Sequence, residues 1–345
     1  MATLRIADIA DQIPDIWSTE TYFQAESATW WNKFEGPEGS SMPGVRKDDL
    51  NMKPGDTIRT DIFLKAQGAG VSGDTPLEGN EEKLRSRQSS FGVTRYKHGF
   101  REDELAEIQS IHDLRRIMGT RLVNWTAGKI DDLVWAEVTG NGTTTMPDGN
   151  KWAAGTATSR ATVADTAGGG RLTLASISEA KAYAQTELKM PPFRVMGGNE
   201  FYGLAVHPYA ALQLKLSSEW QQAQRDALPR GWDNPLFTGP DYIGMWDGVM
   251  IYSPTDRIPR SSNGTIQVAD NVFFGSQLYS RGYQQRPSWR ASEFDYGTEY
   301  GIGVVFTLGQ KLNVFDLTDA GGAAASAQTA IGGMVLYSAA VAPSA

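Results

Sequence analysis

The stretch Glu102–Val138, EDELAEIQSIHDLRRIMGTRLVNWTAGKIDDLVWAEV, decides the fold. Its apolar side chains recur at steps of mostly three or four residues, which keeps one face of an α-helix apolar. They are Leu105, Ile108, Ile111, Leu114, Met118, Leu122, Trp125, Ile130 and Leu133. The pattern predicts a long helix with one buried stripe.

Both ends of this helix are marked in the sequence. The acids Glu102, Asp103 and Glu104 lie where the positive end of the helix dipole is expected. Gly140 follows the last periodic residue and predicts the C-terminal stop.

A second interpretation divides the stretch. Ser110 and Asp113 resemble a capping box, which predicts a short lead-in helix and a main helix from Ile111. The main helix would be roughly 40 Å long at about 1.5 Å per residue. Gly119 and Gly128 each cost about 1 kcal/mol relative to alanine, so a long partner must hold the helix by packing. We expect that partner to be a sheet.

Composition bounds the class of protein. The chain has 345 residues, 40% hydrophobic and 21% charged, with 37 glycines, which is typical of a loop-rich globular α+β protein. It has no cysteine, which excludes disulfides, thiolate metal sites and cysteine nucleophiles. The net charge of −8 disfavours a direct nucleic-acid binder. No signal-peptide pattern and no apolar run of about 20 residues occur, so we expect a cytoplasmic site of synthesis.

Two segments before the long helix alternate polar and apolar residues, as half-buried strands do. They span residues 55–64 and 89–96, and we expect them to pair. Lys65–Gln88 between them is rich in glycine and charge and too polar to form core. It is interpreted as a solvated loop or, because ordered loops of this length are usually functional, as a protruding hairpin that meets another subunit.

A second compact region begins after the long helix. Ser176 and Glu179 form a capping-box pattern that predicts a helix ending before Pro191. Pro208 and Ser217 predict the starts of two further helices.

Strands are predicted at Phe193–Met196 and beside the hairpin turns Asp247-Gly248 and Asn263-Gly264. Residues 301–317 are β-branched and aromatic and predict a strand or hairpin that packs on the long helix. A last strand is predicted within Ala330–Ala342, a segment too short to cross a bilayer.

Two features superficially suggest ligand binding. Gly68–Gly73 matches G-x-G-x-x-G, but Asp74-Thr75-Pro76 follows where the helix that receives a pyrophosphate should begin, so the match is interpreted as a loop tip. The ten tryptophans suggest sugar stacking, but they are scattered along the chain, which favours core or subunit-interface roles.

No constellation of residues predicts catalysis. His98, His112 and His207 lack metal-ligand spacing and are interpreted as hydrogen-bonded structural residues. The pairs Asp131-Asp132 and Glu81-Glu82 have diverging side chains and are interpreted as solvated charges. The sequence therefore predicts no enzyme, no metal and no cofactor.

Several further stretches occur in a characteristic order. They are Gly55-Asp56-Thr57, Gly68 to Asp74, Leu77 to Glu82, Asp113-Leu114-Arg115 running to Lys129-Ile130-Asp131, and Asn234 to Gly239 before Asp247-Gly248-Val249. In this order they resemble the podophage-type major capsid proteins of tailed bacteriophages, a group with the Hong Kong 97-type fold. The resemblance covers about residues 10–318, and residues 68–82 are its most specific part.

The resemblance implies an α+β, Hong Kong 97-like capsid fold. Its expected parts are an N-terminal arm (1–55), an extended hairpin loop (56–99), a peripheral domain (100–171) with a spine helix (103–138), an axial domain (172–295), a return strand of the peripheral domain (296–318) and a C-terminal tail (319–345). The implied function is a major capsid protein that self-assembles through hexamers and pentamers into an icosahedral shell around double-stranded DNA. The chain would be made in the bacterial host cytoplasm and reside in the virion.

The resemblance also implies partners. Other copies of the chain would meet the loop tip, through Asp74, Glu78, Glu81, Glu82, Lys83, Arg85 and Arg87. No helical scaffold segment precedes the arm, so either a separate scaffolding protein or spontaneous closure is expected, together with a portal and a candidate decoration protein. Packaged DNA would be contacted only non-specifically, and no membrane is involved.

Two alternatives stay open at this point. An encapsulin-type compartment shell would have the same fold. A carbohydrate-binding or carbohydrate-active protein is suggested by the tryptophans and acids alone.

Overall fold

The computed structural model describes residues 29–47, 55–63, 70–74, 76–84, 86–110, 114–166, 168–226, 241–255, 257–316 and 328–342. The helices in these ranges are α1 (Glu104–Gln109), α2 (Leu114–Val138), α3 (Leu174–Thr186), α4 (Pro208–Leu216) and α5 (Ser218–Asp226). The strands are β1 (Glu35–Pro37), β2 (Gly44–Lys47), β3 (Thr57–Phe63), β4 (Ser86–Gly92), β5 (Thr94–Asp103), β6 (Lys151–Ala153), β7 (Arg194–Met196), β8 (Asn199–Ala205), β9 (Tyr242–Trp246), β10 (Val249–Tyr252), β11 (Arg260–Ser262), β12 (Gln267–Phe274), β13 (Tyr279–Phe294), β14 (Glu299–Leu312), β15 (Val314–Asp316), β16 (Gln328–Ala330) and β17 (Gly333–Ala339).

The long helical stretch ends as predicted. α2 runs to Val138, and Gly140 then adopts φ = 75°, the left-handed conformation that glycine accepts without strain. Its backbone amide donates to the carbonyl of Glu137 at 3.0 Å, and the backbone amide of Asn141 donates to the carbonyl of Ala136 at 2.8 Å. The glycine stop is therefore confirmed.

The start of the stretch is divided. α1 ends at Gln109, and Ser110 after it has an extended backbone, so the interpretation as a lead-in helix and a main helix is confirmed and a continuous helix over 103–138 is wrong. The side chain of Asp103 caps α1 by accepting from the amide of Leu105 at 3.4 Å. Asp113, the second residue of the predicted capping box, lies outside the described residues.

The predicted apolar stripe is buried at Leu122 and Ile130 and half-buried at its other positions on α2, but it is exposed on α1. Leu122 and Ile130 are 0% and 2% exposed, whereas Leu105 and Ile108 are 57% and 72% exposed. α1 follows directly on the last residue of β5 and so lies beyond the end of the sheet that covers α2. The prediction that Leu105 and Ile108 are buried is wrong for this reason.

α2 packs on a five-stranded sheet with the order β1-β2-β13-β14-β5. Leu122 shares a buried cluster with Val304 and Phe306 of β14, which confirms this strand as the partner of the helix. Gly119 lies against Trp289, whose ring would be 3.4 Å from an added Cβ, so the helix packs closely on the indole at this position.

An eight-stranded sheet forms the second core. Its main path is β6-β17-β12-β8-β10-β9, with β11 paired to β12 and β7 to β8. Ile177 of α3 and Leu214 of α4 share a fully buried cluster with Leu204 and Phe273 of the sheet. This mixed region confirms the second compact region expected after the long helix.

The helix starts in this region follow local capping chemistry. Thr173, not Ser176, caps α3. The Thr173 hydroxyl accepts from the backbone amide of Ser176, and the Ser176 hydroxyl accepts from the backbone amide of Thr173. The predicted cap is thus wrong by one turn. Pro208 begins α4, and Ser217 Oγ accepts from the amide of Trp220 at 3.3 Å at the start of α5, so both predicted starts are confirmed.

Two predicted hairpin turns are present. Asp247 (φ 48°) and Gly248 (φ 75°) join β9 to β10, as a two-residue turn with two left-handed residues requires. Gly264 (φ 99°) follows Asn263, whose Oδ1 accepts from the amide of Ile266 at 3.0 Å between β11 and β12.

Sheet hydrogen bonding crosses the expected domain boundaries. β17, from the predicted tail, pairs with β12 on one side and β6 on the other, which confirms the last predicted strand. β13, from the predicted axial range, pairs with β14 in the five-stranded sheet. The division into an arm, a loop, two domains and a tail stays a prediction.

A buried charge ties the predicted arm to the five-stranded sheet. Glu35 of β1 accepts from the hydroxyl of Tyr279 at 2.6 Å and pairs with Arg281, and the Glu35 and Arg281 side chains are 2% and 1% exposed. Burial raises the pKa of Tyr279, so its hydroxyl stays a donor to the carboxylate.

Candidate subunit interface

The predicted interface loop is carried by a hairpin with a packed base and an exposed far end. β3 and β4 pair antiparallel, which confirms the predicted pairing, and Phe63 lies opposite Ser86 at the far end. Ile58 and Phe91 near the base are 4% and 7% exposed, whereas Phe63 is 68% exposed. The side chain of Ile58 lies over Gly282 of β13, where an added Cβ would collide with it.

The loop tip takes its shape from its own residues. Asn80 donates from its amide to Leu77 at 2.9 Å and from its side chain to Pro76 at 3.0 Å. Gly79 adopts φ = 87° and donates to the Glu81 carboxylate at 2.8 Å. These local bonds define a turn over residues 76–80 that does not depend on the rest of the subunit for its form.

The described part of the glycine-rich match is an open loop. Gly70 and Gly73 have φ of 69° and 68°, and an added Cβ at either would meet nothing within 4 Å. Residues 70–74 have no helical backbone. The interpretation as a loop tip is confirmed for these residues.

Most of the predicted contact residues are exposed at this tip. They are Asp74, Glu78, Glu81, Glu82 and Lys83. Arg87 is half-buried in β4 opposite Ile62, and Arg85 lies outside the described residues. Four acids and one lysine give the exposed part of the tip a negative charge.

Exposed apolar residues lie among these charges. Val71, Leu77 and Leu84 are 38%, 60% and 77% exposed, in addition to Phe63 at the far end of β3. The sequence interpretation counted the tip as poor in apolar residues, because isolated apolar positions without a period give no signal. Clustered exposed apolar side chains mark surfaces that meet another molecule.

Asp131 of α2 is buried, so its interpretation as a solvated charge is wrong. Its side chain is 1% exposed, because it lies one turn after Ala127 and one turn before Trp135 on the buried face. Burial raises the pKa of Asp131 to about 6, and Arg257, whose Nε is 3.3 Å away, opposes the shift. Asp132 points outward and is exposed as predicted, 3.2 Å from the same guanidinium.

Tryptophans contribute to both cores. Trp31 and Trp135 are 0% and 3% exposed, with ring centroids 5.0 Å apart, and Trp220 is 3% exposed under the eight-stranded sheet. The core role expected of tryptophan is confirmed for these three.

The described histidines have structural contacts. His98 stacks on Trp125 with 4.7 Å between ring centroids, and Nδ1 of His207 accepts from the amide of Tyr209 at 3.2 Å. His112 lies outside the described residues. In the described part of the chain, no cluster of three or more His, Cys, Asp or Glu could hold a metal ion. None of the described helices combines the length and apolar character needed to span a membrane.

Comparisons with known proteins agree on one class. The family model described as phage capsid protein matches residues 16–342. A major capsid protein of Pseudomonas phage KPP25 is 28% identical, over 88% of this chain and 90% of that protein. The capsid of Ralstonia phage GP4 has a TM-score of 0.75 at 21% identity, over 92% of each chain. The Cyanophage Pam1 capsid has a TM-score of 0.70 at 19% identity, over 91% of this chain and 92% of its own.

Proposed function

The chain belongs to the phage capsid protein family, and we propose that its copies form the icosahedral shell of a tailed phage through hexamers and pentamers. The α+β, Hong Kong 97-type fold predicted from the sequence is confirmed by likeness to solved phage capsids. The role is structural, and its chemistry lies in surfaces that bind further copies. The compartment-shell and carbohydrate alternatives are not favoured by the family match.

The observation that carries the proposal is the contrast within the β3–β4 hairpin. Its base is packed in its own subunit through Ile58 and Phe91, while Leu77 and Leu84 at its tip face solvent beside several charges. Burying these side chains against another copy removes apolar surface from water at about 25 cal/mol per Å². The charges then set register and partner choice.

Further partners follow from the proposed shell. A separate scaffolding protein, a portal and a decoration protein are proposed partners, with synthesis in the bacterial host cytoplasm. The net charge of −8 supports a shell that holds packaged DNA without condensing on its phosphates.

The deciding experiment replaces residues 68–84 with an Asn-Gly turn that closes β3 on β4. We expect a soluble subunit with an unchanged circular dichroism spectrum that forms no particles in light scattering, whereas the wild-type chain forms capsomers and closed particles. Normal particles from this variant would refute the role of the loop. A collapsed fold would show that the loop packs on its own subunit.

A charge variant with a matched control refines this test. Glu78→Lys with Glu81→Lys changes the tip charge, while Glu179→Lys with Glu187→Lys makes the same change at exposed positions of the α3 region. We expect only the tip variant to slow particle formation. Equal effects of the two pairs would assign the change to overall charge and not to the tip.

A further inference from the structure

A cavity of about 230 Å³ lies at the end of the five-stranded sheet, between α1 and the turn that joins β13 to β14. We call it the Glu102 cavity. Its lining residues are Glu102, Glu104, Glu107, Ile108, Arg115, Gly297, Thr298 and Tyr300. A dry cavity of about 150 Å³ already holds a benzene ring, so this one admits a single aromatic side chain.

One carboxylate oxygen in this cavity lacks a donor. Glu102 is 9% exposed, and its Oε1 accepts from Nε of Arg115 at 3.3 Å. Its Oε2 is buried and has no hydrogen-bond donor among the described residues. A buried acceptor left without a donor is costly, so the site calls for a hydrogen-bond donor from beyond the described residues.

The guanidinium of Arg115 favours an aromatic donor. Its Nη2 already contacts the Glu107 carboxylate at 2.7 Å, and its guanidinium lies 4.5 Å from the centroid of the Tyr300 ring. The carboxylates of Glu102, Glu104 and Glu107 also line the cavity, so the choice of an aromatic donor rests on contact with the guanidinium and not on net charge. An aromatic ring is attracted to this guanidinium, and a phenol hydroxyl can donate to Oε2 of Glu102.

A tyrosine with the required freedom lies on the adjoining turn. Tyr296 is fully exposed and has φ = 55°, between Asp295 at φ = 47° and Gly297 at φ = 90°. Bulky residues rarely adopt left-handed backbone, and the turn holds this ring away from its own subunit.

We propose that Tyr296 of one copy inserts into the Glu102 cavity of a second copy and donates from its hydroxyl to Oε2 of Glu102. The inference rests on the proposed shell function, which supplies the second copy. Gly297 and Thr298 line the cavity directly after Tyr296, so the projecting ring and its receptor are neighbours on one copy.

The first test separates the fold of the subunit from assembly. Tyr296→Gly relaxes the left-handed position, so we expect a melting temperature equal to or above that of wild type together with loss of particles. Tyr296→Phe keeps the ring and removes the donor, and should raise the protein concentration at which particles appear about tenfold. Particle formation unchanged in both variants would overturn the proposal.

The second test detects the contact itself and uses the absence of cysteine from the chain. Separate Tyr296→Cys and Ile108→Cys proteins are mixed, assembled and treated with a short bis-maleimide. We expect covalent dimers that contain one copy of each, whereas Ser262→Cys, an exposed site on β11, should give none with Ile108→Cys. Normal particles without mixed dimers would overturn the contact and leave the shell function standing. A wild-type chain that forms no particles would instead overturn the shell function.

Discussion

At the scale of single residues, Asp131 shows how the core changes an ordinary carboxyl group. The backbone of Trp31, the Trp135 side chain and Arg257 favour its charged form, but burial outweighs them and raises the pKa from 3.8 to about 6. The native state therefore binds the proton more tightly than the unfolded chain does. The stability contributed by this group is fully present below pH 3.8 and is lost as the pH rises through about 6.

Asp131→Asn should remove this dependence. At pH 7.5 we expect the free energy of unfolding of the variant to exceed that of wild type by on the order of 2 kcal/mol, because the variant has no buried charge at this position. At pH 4 the two proteins should have similar stability. Chemical denaturation at several pH values measures the difference.

The neighbouring residue provides the control for this prediction. Asp132→Asn removes a carboxylate with a 66% exposed side chain that adds only a minor contribution to the raised Asp131 pKa, so this variant should keep most of the pH dependence of wild type. If the free energy of unfolding of Asp131→Asn changed with pH between 5 and 7 as steeply as that of wild type, the assignment of this dependence to Asp131 would be wrong.

At the scale of elements, α2 depends on the return strand β14 for its position. Leu122, at 0% exposure, lies in the cluster formed with Val304, Phe306 and Trp289. α1 has no comparable apolar packing at Leu105 and Ile108, because both side chains face solvent. The long helical stretch of the sequence thus contributes to the core through α2, while α1 lies at the surface.

Leu122→Asp should unfold or aggregate the subunit. A charge without a partner in this core costs several kcal/mol, against a total stability of about 5–15 kcal/mol for a domain. Ile117→Asp, at a position that is 44% exposed on the same helix, should change the melting temperature little. Thermal melts of the two variants side by side test the orientation of α2, and an unchanged melt for Leu122→Asp would place that face outward.

The elements also show what the sequence could and could not predict. Gly140, Asp247-Gly248 and Pro208 act through local backbone chemistry, so the helix stop, the turn and the helix start were all predictable. The exposure of Ile108 and the burial of Asp131 depend on where the sheet ends and on which helix face meets the arm. No local pattern carries that information, and these two predictions failed.

For the candidate interface, the charged loop tip was predictable from composition, because charges and glycine in a long segment exclude core. The exposed Leu77 and Leu84 and the outward ring of Tyr296 were not. Each depends on a backbone position defined only by the folded hairpins; Tyr296 lies in the turn between a strand of 16 residues and one of 14.

At the scale of the whole molecule, the chain closes its second sheet with its last strand. β17 lies between β12 and β6, and Met334, Val335 and Leu336 in it are fully buried. The predicted tail is therefore core in this part, although it falls outside the resemblance.

Ending the chain after Asp319 should abolish folding of the eight-stranded sheet. The truncation exposes the edges of β12 and β6 and leaves the buried faces on both sides without a partner, so we expect insoluble protein. A chain that ends after Ala342 retains β17 and should behave as wild type. Soluble expression and circular dichroism distinguish the two, and cooperative melting of the shorter chain would refute the prediction.

The late position of β17 in the chain also affects the order in which the sheet can fold. Among the described strands β17 is synthesised last, and its partner β6 lies about 180 residues earlier, so the pairing has a high contact order and we expect it to form late. A nascent or prematurely terminated copy carries an open gap in its sheet and cannot present finished surfaces to its neighbours. On the proposed shell function, we expect copies that lack β17 to be excluded from closed particles.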